Sequence, residues 1–163
     1  MRVLIYIVIC LACMVFESSI SSRLPIDVFK PDFAVPLIIY VTFFMGPGYG
    51  FIAAMCSGIA GEVLSSAPTG AILFINMSIF LIMAFVKKQL YIDSKYSFAA
   101  ICGGAVIIES FLFLVLSVLG KGETGNVLNI FFYAVPDAIF TGFVSVFIYS
   151  LLEHLNAAYS NRE

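Results

Sequence analysis

Charged side chains are scarce in this sequence. Aspartate, glutamate, lysine and arginine together make up 11% of its 163 residues, whereas an average globular domain contains roughly 25%. Hydrophobic residues make up 62%, so a soluble fold of this composition could not cover its surface with polar groups. We therefore expect an all-α integral membrane protein that forms a single domain and contacts the lipid bilayer.

Features of nucleic-acid binding and of metal binding are also missing. The net charge is −2 and there is no basic patch, which argues against a nucleic-acid partner. The single histidine, His154, has no second histidine with which to form a metal site or a triad. The four cysteines all lie in apolar segments: Cys10, Cys13, Cys56 and Cys102. Because only one C-x-x-C pair is present, they indicate apolar packing, and we expect no metal and no cofactor.

Motifs of common catalytic sites are absent as well. The sequence contains no G-x-S-x-G, no H-E-x-x-H, no Walker-type loop and no D-x-D. The glycine-rich run Gly46-Pro47-Gly48-Tyr49-Gly50 lacks the lysine and the preceding strand of a phosphate-binding loop. We expect no catalytic residue and no enzymatic activity.

Six apolar segments divide the chain, at about residues 3–20, 33–44, 49–64, 71–86, 97–119 and 127–152. No A-x-A cleavage site follows the first segment, which predicts a retained helix and not a signal peptide. The second has only 12 residues, or about 18 Å of helix against a hydrocarbon core of roughly 30 Å. It is expected to form a short, buried hairpin with the third. The pattern predicts a compact bundle of about six transmembrane helices.

Lysine and arginine counts predict the orientation of this bundle. With the N-terminus inside, five cations fall on the cytoplasmic side: Arg2, Lys87, Lys88, Lys95 and Arg162. Three fall outside: Arg23, Lys30 and Lys121. Cytoplasmic loops carry the excess of such residues. We therefore expect a multi-pass protein of the bacterial cytoplasmic (inner) membrane with both termini in the cytoplasm.

Small residues recur every four positions in the stretch 46–70, which predicts the central packing helix of the bundle. Two neighbouring rows are present: Gly50, Ala54 and Gly58 followed by Glu62, and Ala53, Ser57 and Gly61. The fifth segment carries two similar rows, Ala99 with Gly103 and Ala100 with Gly104. Small residues at this spacing let helix backbones approach closely inside a bilayer, where no hydrophobic effect holds helices together.

Two acids lie near the middle of consecutive apolar segments. Glu109 and Asp137 would face each other at similar depth if their helices are antiparallel, and an ionisable residue at that depth is a functional candidate. One hypothesis is a shared-proton carboxyl pair on an ion pathway. The other is a protonated carboxyl that bonds across helices, for example to the Phe132 carbonyl that Pro136 leaves without a donor. We favour the second, because few other polar residues could line a path.

A third acid, Glu62, falls near the predicted outer end of its helix and allows two interpretations. The first is an outward-facing polar site formed with Ser57, Asn76 and Glu17. The second is a carboxylate at a helix end that fixes the following loop, residues 65–70, or pairs with Arg23 or Lys30. The sequence does not decide between them.

Two short motifs resemble the MreD family of bacterial rod-shape-determining membrane proteins. The first is Lys30-Pro31-Asp32-Phe33, which opens an apolar segment ending near Tyr40. The second begins at Glu62 and continues through Leu64-Ser65-Ser66 to Pro68-x-Gly70. The resemblance covers nearly the whole chain. The family often has aspartate where this chain has Glu62.

The resemblance implies a non-enzymatic subunit of the cell-elongation machinery. Family members are thought to bind the membrane scaffold MreC and to help link cytoplasmic MreB filaments to peptidoglycan synthases. The expected fold also resembles the six-helix substrate-binding subunit of energy-coupling-factor transporters. That likeness supplies the main alternative, a vitamin-type transport subunit with a pocket near Glu62 and Asn76. A small ion or proton transporter that uses Glu109 and Asp137 is the third.

Overall fold

The described helices coincide with five of the six predicted segments. The computed structural model describes residues 32–64, 70–90, 92, 94–121 and 127–160, together with residues 8, 12 and 15. Within them lie α1 (Ala34–Tyr40), a π-helical turn (Val41–Met45), α2 (Pro47–Leu64), α3 (Ala71–Val86), α4 (Lys95–Lys121) and α5 (Val127–Ser160). These residues contain no strand. Apart from three positions, the first predicted segment, 3–20, lies outside the described residues.

A glycine reverses the chain between the π-helical turn and α2. Gly46 has φ +118°, a conformation that L side chains rarely adopt. Its amide closes the π-helical turn by donating to the carbonyl of Val41, and its own carbonyl accepts from the amide of Gly50, both at 3.1 Å. Pro47 begins α2 at the position where a missing N–H costs nothing. The turn therefore folds α2 back along α1.

The short helix α1 lies at the centre of the fold. All seven of its residues are buried, and it packs against α2, α3, α4 and α5. In α2, by contrast, only the small-residue side is buried, whereas Phe51, Ile59 and Val63 on other sides are exposed. The expectation that the 46–70 stretch supplies the central helix is therefore wrong. A helix that is apolar all round is enclosed on every side, whereas a helix with one small face packs through that face alone.

Among the described elements, α4 and α5 form the most extensive helix pair. They are antiparallel, since Gly103 lies beside Ala138 and Gly142 beside Ala99. The Lys95 side chain donates to the Ser150 hydroxyl at 3.3 Å near one end of the pair. Four aromatic rings pack at the same end, with centroid distances of 4.7 to 6.2 Å: Tyr40, Phe44, Phe98 and Tyr149. These contacts join α1 and the π-helical turn to helices α4 and α5.

Among the described residues, two stretches are long and apolar enough to cross a bilayer, Lys95–Leu119 and Ala134–His154. Only 17% and 28% of their most apolar windows are buried inside the protein. Several of their large side chains are exposed, among them Phe111, Phe143 and Phe147, as expected for helices that contact lipid. Ala34–Met45 and Ala71–Val86 are apolar but shorter. The described residues thus confirm an all-helical fold, while six full membrane crossings stay a prediction.

Candidate functional site

The carboxylate of Glu62 lies at the start of the next helix. Its Oε1 accepts a hydrogen bond from the backbone amide of Leu73 at 3.3 Å. Helix α3 begins after Gly70, which has φ +92° and no side chain to cap the helix. The first amides of a helix lack intrahelical acceptors and carry the positive end of its dipole. Glu62 therefore supplies from α2 the acceptor that α3 does not supply for itself.

A buried polar pair joins the same two helices further inside. Asn76 donates from Nδ2 to the Ser57 hydroxyl at 3.2 Å, and that hydroxyl donates to the carbonyl of Ala54 at 3.1 Å. Ser57 and Asn76 are 0% and 3% exposed, so neither reaches solvent or lipid. The structure brings Glu62, Ser57 and Asn76 to one interface, as the first interpretation of Glu62 requires. Their polar groups, however, bond within the protein.

The small-residue face of α2 packs inside the fold. A Cβ added at Gly58 would lie 2.9 Å from the Cα of Leu73. One added at Gly50 would collide with the Thr42 hydroxyl and lie 3.1 Å from the Phe80 ring. Ala54 and Gly61 on this helix are also buried. Gly50 and Gly58 thus lie against α3 and the π-helical turn, and the packing role of the four residues stays a prediction.

The two glycines predicted to pack on α4 differ from each other. A Cβ at Gly103 would lie 3.3 Å from the carbonyl oxygen of Ala138 on α5, whereas one at Gly104 would meet nothing within 4 Å. Ala100, one turn before Gly104, is exposed as well. The row containing Gly103 therefore faces α5, and the row containing Gly104 is open. A packing role for Gly104 stays a prediction.

The aspartate of the first motif caps the central helix. Asp32 Oδ1 accepts from the amides of Ala34 at 2.7 Å and Val35 at 3.2 Å. The Asp32 amide donates to the Thr141 hydroxyl on α5 at 3.2 Å. Phe33 follows as a partly buried residue packed against the main core. This motif therefore holds the start of α1 against the longest helix.

The offset between Glu109 and Asp137 follows from the pairing of their helices. Gly103 lies beside Ala138, and a Cβ at Gly142 would lie 3.6 Å from the Ala99 carbonyl. Extending this pairing places Asp137 level with Gly104, so that Glu109 lies roughly 7 to 8 Å further along α4. Both side chains are partly buried. A shared proton would require the two carboxyl groups to bridge this offset, and that hypothesis stays a prediction.

Several predicted residues lie outside the described part of the chain. They are Pro31, Ser65 and Pro68 of the motifs, together with Glu17, Arg23 and Lys30, which were possible neighbours of Glu62. Among the described residues, no group of three His, Cys, Asp or Glu side chains could hold a metal ion. No buried side-chain nitrogen or oxygen there lacks a hydrogen-bond partner.

Three buried hydroxyls contribute to the site and were not singled out from the sequence. Thr42, Thr141 and Ser145 are all 0% exposed. Thr42 and Ser145 donate to carbonyls of their own helices, at 2.6 Å to Ile38 and at 2.7 Å to Gly142. The available signal was a hydroxyl in the middle of an apolar segment, where it bonds to the preceding turn. The site as a whole can anchor helix ends and cross-link helices.

Comparison with protein-family models shows the family to which the chain belongs. A family model for the rod shape-determining protein MreD matches residues 1–158. The chain belongs to the MreD family. The resemblance inferred from the motifs around Asp32 and Glu62 is thereby confirmed. In two further comparisons, no curated protein and no solved structure matches the chain.

Membership of the MreD family carries several conclusions. The protein is a membrane protein with a role in determining rod shape. The family is one of shape-determining membrane proteins and is not known for catalysis. The likeness to substrate-binding subunits of energy-coupling-factor transporters stays a prediction.

Proposed function

We propose that this MreD-family chain is a non-enzymatic, multi-pass subunit of the bacterial cell-elongation machinery. It binds an MreC-like membrane scaffold and through it helps link MreB filaments to peptidoglycan synthases. The family match over residues 1–158 carries this proposal. The motif chemistry supports it, because Asp32 and Glu62 both accept hydrogen bonds from backbone amides at helix starts. Carboxylates used in this way stabilise a scaffold and are not free for catalysis.

The orientation belongs to the same proposal. One end of the bundle contains the turn at Gly46, the first residue after α3 and the start of α4. Two contacts show this: Lys87 donates to Thr42, and Lys95 donates to Ser150. Lysines gather at the cytoplasmic ends of membrane helices. We place this end in the cytoplasm of a bacterial inner membrane. The Glu62–Leu73 contact then lies toward the periplasm, and α5 returns its C-terminal end to the cytoplasm.

The contacts of the small residues indicate where a partner helix would pack. The small face of α2 is occupied by Leu73, Thr42 and Phe80 of the same chain. The row of α4 with Ala100 and Gly104 is exposed. An open glycine inside a helix costs about 1 kcal/mol relative to alanine, and no contact within the described chain offsets it. A transmembrane helix of the MreC-like scaffold that packs on this row would bring two backbones together.

Affinity purification from the native membrane tests the function. We expect an MreC-like protein to copurify, and we expect depletion of the chain to turn rod-shaped cells round. Recovery of a tightly bound vitamin-like molecule with an ATPase module would instead establish the transport-subunit alternative. Absence of any scaffold, together with unchanged cell shape on depletion, would refute the proposal.

Substitutions of increasing size at Gly104 test whether the partner helix packs on the α4 row with Ala100 and Gly104. Gly104→Leu should fold normally, because the site is open, and should reduce recovery of the scaffold several-fold. Gly104→Ala is the matched control and should recover it normally. If Gly104→Leu recovers the scaffold as well as Gly104→Ala does, the partner helix packs elsewhere, while the family function stands.

A further inference from the structure

One backbone carbonyl at the turn between α1 and α2 lacks its helical donor. In the π-helical turn Val41–Met45, carbonyls accept from amides five residues later. The Gly46 amide donates to Val41 in this way. At Gly46 the backbone leaves the helical conformation, with φ +118° and ψ 162°. No helical amide therefore follows to bond the carbonyl of Thr42, as is usual for the last carbonyls of a helix.

A lysine from another helix end occupies the vacant donor position. Lys87, the first residue after α3, donates from Nζ to the carbonyl oxygen of Thr42 at 2.9 Å. Thr42 is fully buried, and its hydroxyl is already committed to the carbonyl of Ile38. A buried carbonyl without a donor is costly, and more so where no water reaches it. The contact therefore satisfies a carbonyl that the end of the π-helical turn leaves without an amide donor.

We propose that Lys87 is a latch: it supplies the donor that the end of the π-helical turn lacks and thereby fastens the turn between α1 and α2 to the end of α3. Its neighbour Lys88 is exposed. The two lysines look equivalent as charges at a membrane end, but only Lys87 holds the turn. This inference does not depend on the proposed function, because the latch acts within the chain.

The latch matters because of what the turn positions. The Thr42 side chain packs directly against the backbone of Gly50 on α2. Thr42 lies in the π-helical turn that directly follows α1, and the residues of α1 form the centre of the fold. A shift of the turn would therefore move α1 and α2 relative to α3. Loss of the latch should loosen this end of the bundle while leaving the Glu62–Leu73 end in place.

Thermal unfolding of the full-length protein in detergent or nanodiscs tests the latch. Lys87→Met keeps the aliphatic length and removes the donor, and Lys88→Met is the matched control. We expect Lys87→Met to lower the Tm by about 3 °C or more, and Lys88→Met to leave it nearly unchanged. Equal effects of the two substitutions would overturn the proposal. Lys87→Gln, whose amide can still donate, should fall between the wild type and Lys87→Met.

A conservative variant covers the case in which Lys87→Met does not accumulate in membranes. Lys87→Arg keeps a donor at this position. Normal accumulation of Lys87→Arg and Lys88→Met beside loss of Lys87→Met supports the latch, whereas failure of Lys87→Arg contradicts it.

Discussion

The carboxylate of Glu62, near the end of α2, caps the first turn of α3 through the amide of Leu73, with Oε1 and N separated by 3.3 Å. Gly70, the residue before α3, has φ +92° and offers no side-chain cap. The glycine and the acid are thus complementary: one permits the turn, and the other satisfies the helix start that the turn leaves open. This relation gives a physical reason for an acid in the second family motif.

Removing the Glu62 carboxylate should therefore destabilise the fold. We expect Glu62→Ala to cost about 1 kcal/mol, the usual cost of a lost helix cap. Glu62→Gln keeps an acceptor oxygen but loses the favourable charge at the helix dipole, and should cost roughly half as much. Unfolding of the purified protein in mixed detergent micelles measures both. A fully stable Glu62→Ala would show that the cap contributes nothing.

Substitution of Gly58 should be far more harmful than substitution of Gly104. In Gly58→Ala the new methyl would meet the Cα of Leu73 at 2.9 Å, and backbone cannot move aside as a flexible side chain does. We expect a loss of about 1 to 3 kcal/mol. Gly104→Ala enters open space and should be neutral or stabilise the helix by up to about 1 kcal/mol. The same unfolding assay compares them, and equal losses would contradict the packing.

Asp32 should act through its capping oxygen and not through its charge. Asp32→Ala removes the acceptor of the Ala34 and Val35 amides and should cost about 1 kcal/mol. Asp32→Asn keeps an oxygen at the same position and should remain close to the wild type, because asparagine caps helices about as well as aspartate. Stability and shape complementation are measured for both. If Asp32→Asn is as damaging as Asp32→Ala, the charge itself is required.

The Ser57 and Asn76 side chains should be energetically coupled. We expect a double-mutant cycle with Ser57→Ala and Asn76→Ala to give a coupling of about 0.6 kcal/mol, typical of hydrogen bonds between membrane helices. Ser78→Ala is the control partner, because the Ser78 hydroxyl bonds to Phe74 within α3 itself. Its effect should add to that of Ser57→Ala. Zero coupling in the first cycle would mean that the bond carries no net free energy.

Glu109 and Asp137 should not conduct ions. In liposomes containing the purified protein, we expect no protein-dependent proton or cation flux, because few other polar residues could line an ion path. Glu109→Gln and Asp137→Asn serve as controls and should leave this baseline unchanged. Flux that requires the wild-type protein and disappears in either variant would establish the ion-transporter alternative.

Helix positions were accessible from the sequence because they depend on neighbouring residues. The predicted segment 71–86 has the same bounds as helix α3, Ala71–Val86. Glycine and proline at 46–48 marked the reversal of the chain, since both residues limit backbone conformation locally. The family could also be inferred from short motifs, which are contiguous in the chain.

Tertiary structure decided which of these residues act together. Asp32 and Thr141 lie 109 positions apart in the chain, and no local pattern pairs them. Gly103 and Gly104 are adjacent glycines, yet only Gly103 faces another backbone. The sequence by itself determined an all-helical membrane protein of the MreD family, because apolar length and motif order are properties of the chain. The central position of α1, the partner of Glu62 and the latch at Lys87 depend on how the helices pack, and packing is decided by contacts between distant segments.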